Sequence, residues 1–366
     1  MTLRIAVDAT AIPGQRVGAG VYVTELLRAL DGLDLDLHVF VNDRDATEYA
    51  TLLPRATLHG VGVGSRVARL AWAHTMLPLR VRRIRPDVFH GPHYTLPGRL
   101  EGPAVVTFHD PTFFMLPELH ERAKVAYFTR SARTGIGRAT RVIAVSEYAR
   151  RGAVDHANAD PDRVDVVLEG VDTSRYSPGD ASGPSFPFEP YILFVGALEP
   201  RKNVPALAQA YAGLLATGVP HHLVLVGPRA WGTSAVDAAT AVLPPERVHR
   251  LDYVDEAEKI SLYRRAALLA YPTIAEGFGL PVLEAMACGT PVVTTTGSAP
   301  EEFAAGSAVL VPPRDIEALG AAIQSVLEDD ALSLRLRRSG PERARELTWQ
   351  RAAEATVEVY ERAARG

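Results

Sequence analysis

Leu268–Thr295, LLAYPTIAEGFGLPVLEAMACGTPVVTT, reads as one strand–loop–helix–strand unit. Leu268–Tyr271 is a short apolar run of the length of a buried strand, and Pro291–Thr295 is a second, rich in β-branched residues. Between them lie a Gly-rich loop and an apolar helical stretch. Pro281 suits the first helical position, where its missing N–H costs nothing. Gly289, with Pro291 after it, ends that helix. The loop Gly277–Leu280 then presents backbone N–H groups at a helix N-terminus, an arrangement that takes phosphate or sugar oxygens. Glu276 and Glu284 stand at the same mouth. Two carboxylates beside an anion site make sense for a ligand carrying both phosphates and hydroxyls, which is a sugar nucleotide. The competing reading, a plain junction with two solvated acids, does not require Gly, Pro and Glu in this order.

The same alternation extends outward in both directions. The second half predicts strands at Tyr191–Val195, His222–Val226, Val248–Leu251, Leu268–Tyr271, Pro291–Thr295 and Val309–Val311. The first half predicts them at Leu3–Asp8, Leu35–Val41, Asp87–His90, Ala104–Phe108, Arg141–Val145 and Val164–Val167. Its helices are expected at Gly20–Leu30, Val67–Arg85, Glu121–Gly137 and Glu147–His156. Strands alternating with helices imply parallel sheets covered by helices, an α/β class. DTSRYSPGDASGPSFPFEP, after Val171, is dense in Pro, Gly and Ser and reads as a linker. The chain is thus expected to form domains over 1–185 and 186–347, with a final helix over 348–366 that is too amphipathic to stand free. A length of 366 residues fits two cores better than one. Ligands of open α/β sheets bind beyond the carboxyl ends of the strands, and two such halves put a cleft between them.

Net charge is −4, which argues against nucleic acid as a partner. A single cysteine, Cys288, allows no intrachain disulfide and suits a reducing compartment; it reads as a core residue. The start MTLRIAVDAT lacks the apolar stretch of a signal peptide, so a cytoplasmic location is expected.

Further segments gather candidate site residues. In VGALEPRKNV, Arg201 and Lys202 follow a strand that ends in Gly196. Adjacent cations at a helix start suit a leaving diphosphate, with Glu199 placed to orient one of them. In GQRVGAGVY, Gly14–Tyr22, Gly18 and Gly20 allow close backbone approach to a ligand after the first strand, and Asp8 is placed to hold that loop. In VVTFHD, His109 and Asp110 lie past a strand end. His90 and His93, in FHGPHYTLP, follow another and are expected on the acceptor side. Ser146 starts a helix as an N-cap or a phosphate contact.

EGFGLPVLE resembles the E-x7-E signature of retaining glycosyltransferases of the GT-B fold, specifically glycosyltransferase family four, and the resemblance covers nearly the whole chain. It implies two Rossmann-like, doubly wound domains facing across a cleft, with the C-terminal helix returning to the N-terminal one. It implies an acceptor-binding first domain and a donor-binding second domain. By the same resemblance Glu276 contacts hydroxyls of the donor sugar, Glu284 the ribose, and the backbone of Gly277, Phe278, Gly279 and Leu280 the sugar and phosphate. Family members have a basic pair as LEPRKN or close variants. Some carry an Arg directly after the strand's Gly, where this chain has Ala197. The Gly18–Gly20 loop would face the diphosphate, His109 would sit near the donor sugar, and the backbone around Val254 would contact the base. The implied chemistry is transfer of a hexose, mannose from GDP-mannose or glucose-type from UDP donors, to the hydroxyl of a glycan, glycolipid or small molecule. It uses no cofactor beyond the nucleoside diphosphate sugar and no metal, and domain closure precedes it.

Other readings are weighed against this one. The D-x-D pairs Asp34/Asp36, Asp43/Asp45 and Asp160/Asp162 suggest a metal, but so short a motif arises by chance. An epimerase, a phosphorylase-like enzyme or a non-catalytic sugar-nucleotide sensor would share the architecture. SRVARLAWAHTMLPLRVRRIR, residues 65–85, with six Arg and Trp72, is a candidate for peripheral membrane contact, although a packed helix with Arg stems over apolar side chains is favoured. Pro78 is expected to kink or split it.

Overall fold

A computed structural model describes residues 2–12, 17–179 and 186–366, and divides the chain into two compact units. Unit 1 comprises residues 1–115, 123–169 and the C-terminal stretch 349–366. Unit 2 comprises 116–122 and 170–348. The division thus falls after Glu169 rather than at 185, because Val171 is bonded to Leu347 and bridges to Thr348 within unit 2. Residues 180–185 of the expected linker lie outside the described residues.

Unit 1 is built on seven strands: β1 Leu3–Asp8, β2 Leu35–Asn42, β3 Thr57–Val61, β4 Val88–Gly91, β5 Ala104–Phe108, β6 Arg141–Ala144 and β7 Val164–Val166. All pair in parallel, in the order β3-β2-β1-β4-β5-β6-β7. β4 and β5 are buried at every position, as expected for central strands covered on both faces. β3, TLHGV, was not expected. It is a half-exposed edge strand whose Gly60 and His59 break the apolar run that marks a buried one.

The single helix expected over 67–85 is two, Arg66–Thr75 and Leu77–Ile84, with Pro78 in the first turn of the second. Proline lacks the N–H for an interior helical bond but fits a first turn, so it divides the segment. The C-terminal helix Trp349–Ala364 belongs to unit 1, where it packs along helix Ala19–Asp31 and buries Trp349, Val359 and Tyr360.

Unit 2 carries β8 Tyr191–Val195, β9 His222–Val226, β10 Val248–Leu251, β11 Leu268–Tyr271, β12 Val292–Thr295 and β13 Val309–Val311. They too are all parallel, in the order β10-β9-β8-β11-β12-β13. β8 runs YILFV and is buried throughout. In each unit the chain leaves its first strand toward one edge and then crosses to the other side of that strand. The switch points fall between β1 and β4 and between β8 and β11. Loops diverge at the carboxyl ends of such a pair and leave a crevice there. No helix among the described residues is long and apolar enough to cross a membrane.

Candidate functional site

The loops that follow β8 and β11 meet at the unit 2 switch point, and they carry the residues singled out above. After β8 the chain passes Gly196 and makes a 3-10 turn, Pro200–Lys202. After β11 it runs through Thr273 and Glu276 into helix Leu280–Ala287. The two loops are tied by the Ile274 N–H donating to the Arg201 carbonyl at 2.8 Å, and by the Arg201 guanidinium donating to the Ala275 carbonyl at 2.8 Å.

Glu276 is the centre of this crossing and is 6% exposed. Three contacts converge on its Oε1: Lys202 Nζ at 2.6 Å, the Arg201 guanidinium at 2.6 Å and the Thr273 hydroxyl at 2.8 Å. Burial alone would raise the carboxyl. The Arg201 and Lys202 charges more than offset this and hold it down at about 2. Lys202 also donates to the Tyr271 hydroxyl and lies over its ring, while Arg201 pairs with Glu199 at 2.8 Å. Tyr271 is pushed far up, first by burial and then by the Glu276 charge, so it stays a neutral phenol.

Glu284 lies one turn into the next helix and is 5% exposed. Its Oε1 accepts from Lys259 Nζ at 2.8 Å and its Oε2 from the Tyr263 hydroxyl at 2.9 Å. Those partners are four residues apart on helix Glu256–Arg265, hence on one face. The two site carboxylates are therefore held differently: Glu276 by two cations, Glu284 by one cation and one phenol.

The helix that carries Glu284 starts at Leu280, one residue before the expected Pro281, and no side chain caps it. In its first turn Pro281 has no N–H and the Val282 N–H donates to the Gly279 carbonyl at 3.0 Å, so the Leu280 N–H is the one left without a helical acceptor and open to an anion. The N-cap is Gly279 at φ +103°, and a Cβ there would come 2.9 Å from Pro300. Both the backbone angle and the space demand glycine. Phe278 is buried and stacks on Phe303, so this loop offers backbone rather than side chain. Val254 is half-buried in the loop after β10, whose Leu251 carbonyl bonds the Gly227 N–H. Cys288 is buried, and burial followed by the Glu284 charge pushes its thiol up to about 12, which fits the expected core role.

In unit 1, His109 follows β5 and is 7% exposed. Its Nε2 lies 2.8 Å from the Pro92 carbonyl, and its Nδ1 lies 3.5 Å from Glu169, an acid the sequence did not single out. The rings of Tyr22, Tyr94 and His93 surround it. His93 is half-buried there, with burial depressing its imidazole to about 3.

His90 corrects the expectation of an acceptor-side residue. It is wholly buried, with Nδ1 bonded to the Tyr360 hydroxyl at 2.7 Å and Nε2 to the Thr107 hydroxyl at 2.8 Å. Tyr22 extends this network through Thr107. His90 thus ties the C-terminal helix to the sheet. Asp110 accepts from the Thr112 N–H, shaping the turn after β5. Gly18, at φ +50°, precedes helix Ala19–Asp31, whereas Gly20, expected in the loop, is buried in that helix's first turn. Gly14 to Arg16 lie outside the described residues. Asp8 bonds the Thr10 N–H and hydroxyl, and Ser146 is an N-cap accepting from the Ala149 N–H at 3.0 Å.

Among the described residues, no group of three or more His, Cys, Asp or Glu could hold a metal ion. Asp36 is instead tied to Arg4 and His38, and Asp160 bonds the Asp162 N–H.

The chain is similar to several known proteins. The profile of Glycosyltransferase Family 4 matches residues 17–175, and that of Glycosyl transferases group 1 matches 181–343. The O-antigen chain mannosyltransferase B of Escherichia coli is 31% identical over 301 residues, covering 80% of this chain and 77% of that protein. Sucrose-phosphate synthase from Thermosynechococcus elongatus superposes with a TM-score of 0.81 at 23% identity, over 98% of both chains. The Anabaena protein HepE, in complex with UDP-glucose, gives a TM-score of 0.74 at 16% identity, over 98% of this chain and 100% of that one. Two doubly wound units of this strand order are the GT-B fold. With matching profiles over most of its length and a relative 31% identical over 80% of the chain, the chain belongs to glycosyltransferase family four.

Proposed function

We propose that this glycosyltransferase moves a mannose-type hexose from a nucleoside diphosphate sugar to a hydroxyl of a glycan-type acceptor, with retained anomeric configuration and no metal. The observation that carries the reading is the convergence of Arg201 and Lys202 on Glu276 Oε1 in the loops beside an uncapped helix start. Two buried cations beside a helix N-terminus fit a diphosphate, and a carboxylate among them fits the hydroxyls of the attached sugar. The similarity to a mannosyltransferase favours mannose.

In the proposed reaction the bond from C1 to the diphosphate oxygen breaks, and its electron pair leaves on the phosphate. The acceptor oxygen bonds to C1 on the same face and gives its proton to a phosphate oxygen. Arg201, Lys202 and the N-terminal end of helix Leu280–Ala287 stabilise the charge that builds on the leaving group. Glu276 holds the sugar, and Glu284, aimed by Lys259 and Tyr263, accepts from the ribose hydroxyls.

A thermal-shift screen with GDP-mannose, UDP-glucose, UDP-N-acetylglucosamine and ADP-glucose, with and without EDTA, tests the donor and the metal together. GDP-mannose should raise the melting temperature most, and EDTA should change nothing. A larger rise with a UDP-sugar would replace the assigned donor. Loss of activity in EDTA restored by manganese would remove the metal-free mechanism, and NMR of the product's anomeric proton would decide retention.

A further inference from the structure

The segment 66–85 is not used by the proposed reaction, and its exposed side is unusual. Residues 49–86 contain seven Arg and no Asp, Glu or Lys, within a chain whose net charge is −4. The two helices have a clear inward side: Ala73, Leu77 and Val81 are buried, and Trp72 meets the Phe40 ring. Their outward side is not simply polar. Met76 is 47% exposed and Leu79 55%, with Val67 at 77% on the preceding helix. Leu79, Arg82, Arg83, Ile84 and Arg85 line one surface hollow together with Arg4. Leu79, Arg82 and Arg83 are at i, i+3 and i+4, so they share a helix face. Arg82 has only a 3.7 Å contact with Glu101, both side chains being 72% exposed. Among the described residues, no hydrogen bond or ion pair is made by the side chains of Arg83 and Arg85.

A helix that shows solvent both large apolar side chains and unpaired arginines is built to lie in the boundary of an anionic bilayer. We propose that this face of unit 1 docks on an anionic phospholipid surface. Met76 and Leu79 enter the headgroup boundary, while Arg82, Arg83 and Arg85 pair with lipid phosphates. The phosphates and the apolar layer are both required, which distinguishes a membrane from a soluble polyanion.

The test is co-sedimentation of the full chain with vesicles of phosphatidylglycerol and phosphatidylcholine, against phosphatidylcholine alone. The wild type should bind the anionic vesicles at least about tenfold better and lose that preference in high salt. R83E/R85E should lower binding to anionic vesicles by about tenfold or more. M76S/L79S should lower it several-fold at a salt concentration where the wild type still binds. Melting temperatures of both variants should stay near that of the wild type, since none of the four side chains is buried. Equal binding to both vesicle types, or a charge-reversed variant that sediments like the wild type, overturns the proposal. So does binding that survives M76S/L79S but is abolished by competing inorganic polyphosphate, because the partner is then a soluble polyanion.

Discussion

Lys202 Nζ lies 2.6 Å from Oε1 of Glu276, and both residues are less than a tenth exposed. A buried ion pair of this kind is costly to desolvate and contributes little net stability by itself. Its value is to hold two opposite charges, already dehydrated, where a ligand can exchange with them. In the proposed reaction the incoming diphosphate takes Lys202 and Arg201 from Glu276 and frees the carboxylate for a sugar hydroxyl.

Lys202→Ala should therefore lower turnover by about 100-fold or more, the scale found when one donor to a developing oxyanion is removed. Single-turnover rates should fall equally, which places the loss in the chemical step. A near-normal rate would take Lys202 out of the mechanism.

Glu276→Gln keeps the size of the side chain and removes the charge that Arg201 and Lys202 now face. Free nucleoside diphosphate should bind as well as before or better, because it no longer competes with a carboxylate, whereas sugar transfer should be crippled. Isothermal titration alongside initial rates reads both. Collapse of nucleotide binding would exchange the roles given to Glu276 and Glu284. The variant should also differ in acid. A depressed carboxyl contributes stability that is present above its unfolded pKa of about 4.3 and is lost as pH falls toward the folded value of about 2. Wild-type stability should carry that loss between these limits, and Glu276→Gln should not.

Much of this site was legible because its residues sit on short sequence intervals with strong punctuation. Glu276, Gly279, Pro281 and Glu284 lie within one loop and one helix turn, where glycine, proline and acid each have a local reason. Arg201 and Lys202 were legible as adjacent cations past a strand. Glu199, expected to orient one of them, pairs with Arg201, but the remaining partners were not legible. Tyr271 looks like any strand residue, Lys259 and Tyr263 like the face of an ordinary helix, and Glu169 lies 60 positions from His109 in the sequence. Only the parallel pairing of β8 with β11, and the packing of helix Glu256–Arg265, bring Tyr271, Lys259 and Tyr263 to the two site acids and their cations. His90 departs from its sequence pattern for the same reason. Its position past a strand suggests a ligand, and the helix that seals it arrives 270 residues later.

Lys259→Ala removes the cation from Glu284 and leaves Tyr263 as its partner. The carboxylate loses its fixed aim, so the donor should bind about tenfold more weakly while the transfer step, once the donor is saturating, changes little. Tyr263→Phe should give a smaller shift of the same kind, because the Lys259 cation still holds the carboxylate. The check is the split between KM and kcat for the donor. A fall in kcat with unchanged KM would assign Glu284 to the reacting end of the ligand.

His90 makes a different prediction, about the fold. Burial, with a smaller push from His109, depresses its imidazole to about 3, so the folded state holds it neutral. The unfolded chain protonates it near pH 6.5. As pH falls from about 6.5 toward 3, the unfolded state therefore binds a proton that the folded state refuses. Stability should drop by up to roughly 1.4 kcal/mol per pH unit from this group alone, and level off below the folded value. A neutral imidazole also fixes the hydrogen bonds: one ring nitrogen donates and the other accepts, between Tyr360 and Thr107. Tyr360→Phe should cost about 1–3 kcal/mol by leaving one of them unmet. It should also weaken the attachment of helix Trp349–Ala364 and raise amide exchange along it. His90→Gln should flatten the acid dependence between pH 6.5 and 3. If urea melts across that range show the same slope for His90→Gln and wild type, His90 is not the group whose protonation opens the C-terminal helix.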